Sequence, residues 1–291
     1  MFEEGKTLND KHSFGGSWTR IKLEALEKYL AAFNTALSRQ SFTRVYIDGF
    51  AGTGRCDITI NGAKTSVDGS ARRALAVNPP FNKFCFIEMD TKKMDALRYL
   101  LAEYPEKCVD LIQDDANTAL KAICNNYNWK NTRAVLFLDP YGLHVEWSTL
   151  EAIAATKAID VWYLFPYSGL YRQTAKNANA MDADKENSIT RILGTDEWRQ
   201  EFYKPQRQTD IFGDESGDRR EADHHDMLNY VSKRLKELFP AVTEPKILFQ
   251  AGDSKKPSGA PLFALYFAAS NPSPKAFGLA TKIAKDVLNA L

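Results

Sequence analysis

Short, nearly continuous apolar segments alternate with segments of helical periodicity along most of the 291-residue chain. Apolar runs of this kind are typical of strands buried on both faces, and their alternation with helices is typical of a parallel sheet covered by helices. The strand candidates are RVYIDGF, KFCFIEMD, VDLIQDD, RAVLFLDP, DVWYLFP, KILFQAG and PLFALYFAAS. The helix candidates are an N-terminal helix starting at Ser17 and the ranges 69–77, 91–104, 116–126, 147–156, 222–238 and 272–290.

These elements predict an α/β fold with a doubly wound, seven-stranded, mostly parallel sheet of the Rossmann-like kind. The last strand is expected to run antiparallel and to follow the sixth through a short hairpin, DSKKPSG. The polar segment 166–221 interrupts the alternation and is too long for an ordinary connection, so it is interpreted as an inserted helical subdomain or lid. A surface excursion without a role is the alternative. The predicted division is an N-terminal helical segment 1–43, a Rossmann-like domain 44–165 with 222–291, and the insertion 166–221.

Composition adds few constraints. The formal net charge of +1 provides no general attraction to nucleic acid or membranes, although a local basic face stays open. The polar start MFEEGKTLND is unlike a signal peptide, and no apolar run approaches the ~20 residues of a spanning helix. The four cysteines lack CxxC spacing and the four histidines lack metal-ligand spacing. We therefore expect a cytoplasmic protein with free thiols, no metal and no membrane association.

The glycine-rich stretch DGFAGTGR directly follows the first strand, where ligands of doubly wound folds bind. A dinucleotide fingerprint would need a third glycine, and a phosphate loop would need a lysine and a hydroxyl residue where Arg55 and Cys56 stand. S-adenosylmethionine (SAM) fits better. Gly52 and Gly54 would let backbone N–H groups approach its carboxylate, and Asp48 suits its cationic end. A ligand-free glycine turn is the structural alternative.

Acidic residues also end the second and third strands. Glu88 is predicted to accept the ribose hydroxyls, whereas Asp90 is expected to cap the next helix. The segment Asp114–Asp115–Ala116 ends the third strand, where an acid can accept the adenine amino group; either acid could instead be an N-cap.

The fourth strand ends in VLFLDPYG, which resembles the [DNS]PP[YFW] box of amino-methyltransferases. Asp139 and the carbonyl of Pro140 could accept both protons of an exocyclic amine, and Tyr141 could stack on the base. The second proline is absent, and a related DPFG box occurs in tRNA guanine N2-methyltransferases. These three residues are the catalytic candidates, and a plain strand-end turn is the alternative.

After the fifth strand, LFPYSGLYR brings aromatic residues towards the same edge of the sheet. Cations interleaved with aromatic rings suit a single strand or a flipped base, because phosphates need charge and bases need a flat surface. Two alternatives stay open: the aromatic residues after the strand could merely pack the insertion, and the charged residues could form a solvated mixed-charge face. The tentative substrate-binding residues are Phe165, Tyr167, Tyr171, Arg172 and Lys176.

The ordered motifs LEALEKYLAAF, YIDGFAGTGR, DGSARRAL, FCFIEMD, LFLDPYG and DVWYLFP resemble the three-Cys-motif partner family, TcmP, over residues 17–170. The resemblance implies a bacterial, class I methyltransferase-like protein encoded beside a three-cysteine, radical-SAM-like protein. It implies a SAM-loop role for Asp48, Phe50, Gly52 and Gly54 and an acceptor role for Asp139 and Pro140.

Two functions are consistent with these features. The first is a SAM-dependent methyltransferase acting on an exocyclic amine of a base in DNA or RNA. The alternative is a SAM-binding partner or regulator of the three-cysteine protein that transfers nothing. An enzyme acting on nucleotide phosphates is a third and weaker hypothesis.

Overall fold

The computed structural model describes residues 17–60, 63–205, 218–249 and 260–291. Within these ranges the strands are β1 (Thr43–Asp48), β2 (Arg55–Ile60), β3 (Ala63–Asp68), β4 (Lys83–Ile87), β5 (Val109–Ile112), β6 (Thr132–Leu138), β7 (Ile159–Phe165), β8 (Tyr203–Lys204), β9 (Arg219–Arg220), β10 (Ala241–Val242), β11 (Lys246–Phe249) and β12 (Pro261–Ala269). The helices of the same ranges are α1 (Ser17–Leu37), α2 (Ser70–Ala76), α3 (Thr91–Leu101), α4 (Ala116–Asn126), α5 (Trp147–Ala155), α6 (Tyr167–Gln173), α7 (Ala183–Leu193), α8 (Trp198–Phe202), α9 (His224–Leu238) and α10 (Pro274–Asn289), with a 3-10 turn at Ala178–Ala180.

The main sheet has the strand order β10-β12-β7-β6-β1-β4-β5, and β11 also pairs with β12. Strands β5, β4, β1, β6 and β7 are parallel, whereas β12 is antiparallel to β7. The chain order reverses between β1 and β6, which is the topological switch point where doubly wound folds bind ligands. The predicted fold class, including its antiparallel last strand, is therefore confirmed.

Three pairings differ from the prediction or extend it. β10 adds an eighth strand to the main sheet within the described residues, but two residues are too few to produce a period-2 pattern. The hairpin of β2 and β3 was not predicted, although Asn-Gly lies between its strands and is a strong hairpin signal. The β8–β9 ladder, also two residues per strand, was not predicted either. The predicted hairpin linker DSKKPSG lies outside the described residues.

Side chains alternate between two cores because each sheet face is covered by helices. One core packs α1, α2, α3 and α10 against residues such as Tyr46 and Phe137, and the other packs α4, α5 and α9 against residues such as Ile47 and Leu136. Helix α1 lies on the first of these faces, so its N-terminal end reaches the edge where the strands end.

The described part of segment 166–221 contributes α6, α7, α8 and the β8–β9 pair. Ile189, Trp198 and Phe202 are buried in the core that includes sheet residues, so this segment packs against the main body over part of its length. Its assignment as a separate subdomain or lid stays a prediction. Among the described helices, none is long and apolar enough to cross a bilayer.

Candidate active site

The carboxyl ends of neighbouring parallel strands converge at one edge of the sheet. Asp48, at the end of β1, lies in register with Phe86 of β4 on one side and Phe137 of β6 on the other. The segments that follow these three strands therefore leave the sheet side by side. They contain the glycine-rich loop, Glu88 and Asp139, which places the three predicted motifs at one location.

Gly52 and Gly54 of the glycine-rich loop have different surroundings. Gly52 and Gly54 both have a positive φ, at 63° and 76°, which disfavours a side chain. A Cβ at Gly52 would meet open space, whereas a Cβ at Gly54 would lie 2.4 Å from Cδ2 of Leu100 in α3. Gly52 thus leaves room beside the backbone for a ligand, and Gly54 lets the loop pack against a helix.

Asp48 lies beneath the loop and is fully buried. Its carboxylate accepts hydrogen bonds from the Tyr46 hydroxyl at 3.0 Å, from the Phe50 amide at 3.2 Å and from the Ser70 side chain. Burial raises the pKa of this carboxyl to about 6, although the three hydrogen bonds oppose the shift. Asp48 does not line either cavity described below; its carboxylate instead holds the loop backbone through the Phe50 amide.

The raised pKa of Asp48 predicts a pH-dependent stability. The folded protein holds this proton more tightly than the unfolded chain, so the contribution is complete below pH 4 and is lost as pH rises through 6. Between pH 4.5 and 7.5, Asp48→Asn should remove on the order of 2 kcal/mol of this pH dependence, because part of the contribution is already lost at pH 4.5. Urea unfolding at pH 4.5 and 7.5 measures this difference in stability, and Asp184→Asn, at an exposed position of α7, is the control. Equal pH dependence in wild type and Asp48→Asn would contradict the prediction.

Glu88 connects the second strand end to the loop. It is 8% exposed, and its two carboxylate oxygens accept hydrogen bonds from the amides of Gly52 at 3.0 Å and Asp90 at 2.9 Å. Each oxygen keeps a further acceptor position, because a carboxylate oxygen has two lone pairs. The side chain of Asp90 accepts from the Lys93 amide at 3.0 Å and caps α3.

The two acids after β5 take different places. Asp115 caps α4 by accepting from the amides of Asn117 at 3.0 Å and Thr118 at 3.1 Å. Asp114 is exposed and accepts only its neighbour's amide among the hydrogen bonds of the described residues. Ala116 begins the helix and is buried. Asp114 therefore keeps more free acceptor capacity than Asp115.

Two cavities lie side by side above these strand ends. The glycine-loop cavity, about 440 Å³, includes Gly52, Gly54, Ser70 and Asp139 in its lining. The acidic cavity, about 330 Å³, is lined by Gly49, Phe50, Ile87, Glu88, Met89, Asp90, Lys93, Asp114, Asp115, Ala116, Tyr141 and His144. Phe50, Lys93 and Tyr141 line both, so the two cavities are adjoining parts of one cleft. An apolar groove of about 420 Å³ between α1 and α10 lies apart from it.

The Asp-Pro-Tyr turn after β6 borders the glycine-loop cavity. Asp139 accepts a 2.5 Å hydrogen bond from the ammonium of Lys22, which is 5% exposed in α1. Pro140 is buried, whereas the ring of Tyr141 is 76% exposed. The Lys93 ammonium lies 4.3 Å from the centre of that ring and 3.1 Å from its hydroxyl.

The substrate-binding residues predicted after β7 lie outside the lining of both cavities. Phe165 and Tyr167 are fully buried, and the Tyr167 hydroxyl is 2.7 Å from Nδ1 of His224 in α9. Tyr171 is half-buried, with its ring stacked on the same histidine at 4.2 Å. Arg172 and Lys176 are exposed. The structure therefore does not bring these residues together with Asp139.

Some lining residues were not anticipated from the sequence. Lys22, Trp18 and Phe263 line the glycine-loop cavity, and the two rings lie 4.9 Å apart. The sequence does mark Lys22 as a buried position, because it falls four residues after Trp18 and four before Leu26 on the apolar face of α1. A lysine on such a face is unusual and is a candidate for a paired or functional charge.

Sequence comparisons leave the family open, since no protein-family model and no curated protein matches the chain. Among solved structures, a Legionella pneumophila protein of family DUF519 superposes with a TM-score of 0.52 and 11% identity over 94% of each chain. A SAM-dependent methyltransferase from Clostridium acetobutylicum gives 0.36 and 11% identity over 85% of this chain and 92% of its own. The N-terminal domain of EvdMO1, crystallised with SAH and D-fucose, gives 0.39 and 11% over 84% and 83%. The chain thus shares its α/β fold with the Legionella protein over nearly its whole length.

Proposed function

We propose that this protein binds SAM across the two cavities and methylates an exocyclic amine of a nucleic-acid base. The observation that carries the proposal is the cleft itself. Its acidic part offers Glu88 and Asp114, and its glycine-loop part is bordered by the acceptor candidate Asp139. Carboxylates suit the hydroxyl and amino groups of adenosine, and the open backbone at Gly52 suits an amino-acid tail.

SAM would supply an electrophilic methyl group on its sulfonium. The Asp139 carboxylate is suited to accept one proton of an acceptor amine in a hydrogen bond, and the Pro140 carbonyl is suited to accept the other. This orientation would turn the nitrogen lone pair towards the cofactor, so these residues would act mainly by positioning. The exposed ring of Tyr141 offers a flat surface on which a base can stack.

The resemblance to the three-Cys-motif partner family supports a second candidate, a SAM-binding partner of a three-cysteine protein. The Lys22–Asp139 ion pair is consistent with this alternative, because it already engages one oxygen of the carboxylate that an acceptor amine would use. Calorimetry with SAM and with ATP–magnesium tests cofactor binding, and a screen with methyl-tritiated SAM against DNA, tRNA, total RNA and protein tests transfer. Binding of ATP–magnesium but not SAM would refute both candidates; tight SAM binding without transfer to any acceptor would favour the partner.

Glu88 and Asp90 provide a paired prediction about the adenosine side. Glu88→Ala should weaken SAM binding by about 1–3 kcal/mol, because it removes a buried carboxylate that would accept the ribose hydroxyls. Asp90→Ala should instead lower the unfolding free energy by about 1 kcal/mol through loss of the α3 cap, with little change in affinity. Calorimetry and urea unfolding on both variants measure these effects. The reverse ranking of affinities would place the ribose at Asp90.

A further inference from the structure

The ammonium of Lys22 is buried next to the carboxylate of Asp139, the candidate that would accept a hydrogen bond from the acceptor amine. The Lys22 ammonium lies 2.5 Å from Oδ2 of Asp139 and 4.8 Å from the centre of the Trp18 ring. Lys22 lines the glycine-loop cavity even though it is only 5% exposed. A buried charge is costly unless it is paired, so this ammonium depends on the groups that surround it in the cavity.

The ammonium can serve a second partner. A lysine ammonium has three donors, and its bond to Asp139 uses one of them. Among the described residues, two other cations line the same cavity, but Arg55 is exposed on β2, and Lys93 is engaged with Tyr141 at the junction with the acidic cavity. Lys22 is thus the most deeply buried cation that faces the space beside Gly52. A ligand carboxylate there would gain a partner that water screens weakly.

We propose that Lys22 binds the α-carboxylate of SAM while it holds Asp139, and so links the cofactor to the acceptor group. The inference rests on the proposed SAM binding and adds a specific residue to it. Lys22 would be a cofactor ligand through one donor and a positioning residue for Asp139 through another. Among the described carboxylates, only that of Asp139 pairs with Lys22. The carboxylate of the bound cofactor would then give the Lys22 ammonium a second anionic partner.

The experiment compares SAH with methylthioadenosine, which keeps the adenosine and the sulfur but lacks the amino-acid tail. Lys22→Met preserves length and apolar volume but removes the charge. It should weaken SAH binding by about 10- to 100-fold, the range for a hydrogen bond between charged groups, and change methylthioadenosine binding less than about twofold. Lys22→Arg should restore part of the SAH affinity. Calorimetry measures both ligands, and thermal unfolding confirms that the variants are folded.

The controls separate the possible failures. Glu88→Ala should weaken both ligands, because it acts on the adenosine side. An equal loss of both ligands in Lys22→Met would indicate a structural lysine, and unchanged SAH binding would exclude contact with the carboxylate; either result overturns the inference while SAM binding stands. A wild-type protein that binds neither ligand would refute the proposed function itself, and the role of Lys22 with it.

Discussion

Replacing Asp139 with alanine should abolish methyl transfer while SAM stays bound. Its proposed partner is the acceptor amine, and a misplaced acceptor costs at least about 100-fold in rate. Asp139→Asn keeps an oxygen for Lys22 and should retain the fold better than alanine, since alanine leaves a buried ammonium without its partner. Transfer of tritiated methyl groups to the acceptor found by screening measures the rate, and calorimetry measures SAM binding.

Asp57→Ala is the matched control for this prediction, because Asp57 is an exposed carboxylate that lines the same cavity. It should change the transfer rate less than about threefold, within the small effects of exposed groups. Full activity in Asp139→Ala would show that the turn after β6 does not position the acceptor. Loss of SAM binding in Asp139→Asn would assign this carboxylate to the cofactor instead.

Placing aspartate at Gly52 should abolish SAM binding in a folded protein, whereas aspartate at Gly54 should destabilise the fold by several kcal/mol. At Gly52 the side chain has space, so the cost to folding is limited to about 1–2 kcal/mol for the positive φ. Its carboxylate would then repel the carboxylate of the cofactor, and we expect at least about a 100-fold loss of affinity. At Gly54 the Cβ itself would collide with Leu100 of α3.

Circular dichroism and thermal unfolding check the fold of both variants, and calorimetry measures the affinity of those that fold. Gly278→Asp serves as a control, because this exposed helical glycine also has open space around its Cβ. A folded Gly52→Asp variant that binds SAM like the wild type would exclude the glycine-loop cavity as the site of the amino-acid tail. A stable Gly54→Asp variant would show that α3 can shift away from the loop.

Local sequence patterns were sufficient for the fold class and for the location of the cleft. Apolar runs ending in DGFAGTGR, Glu88 and Asp139 predicted parallel strands, and the carboxyl ends of adjacent parallel strands lie at one edge of a sheet. The motifs therefore converge whatever the details of packing. The helix caps were equally local, because Asp90 and Asp115 bond to amides within three residues of themselves.

Tertiary packing decided what those patterns could not. Lys22 meets Asp139 across 117 residues of chain, and Gly54 needs to be glycine because Leu100 packs against it. The sequence left open whether Phe165 and Tyr167 hold the acceptor or pack the insertion, and contacts with α9 and the core bury both. Strand and helix periodicity reports only which residues share a face of their own element. Which partner covers that face, and which charge is enclosed with which, depends on contacts between segments distant in sequence, and these exist only in the folded chain.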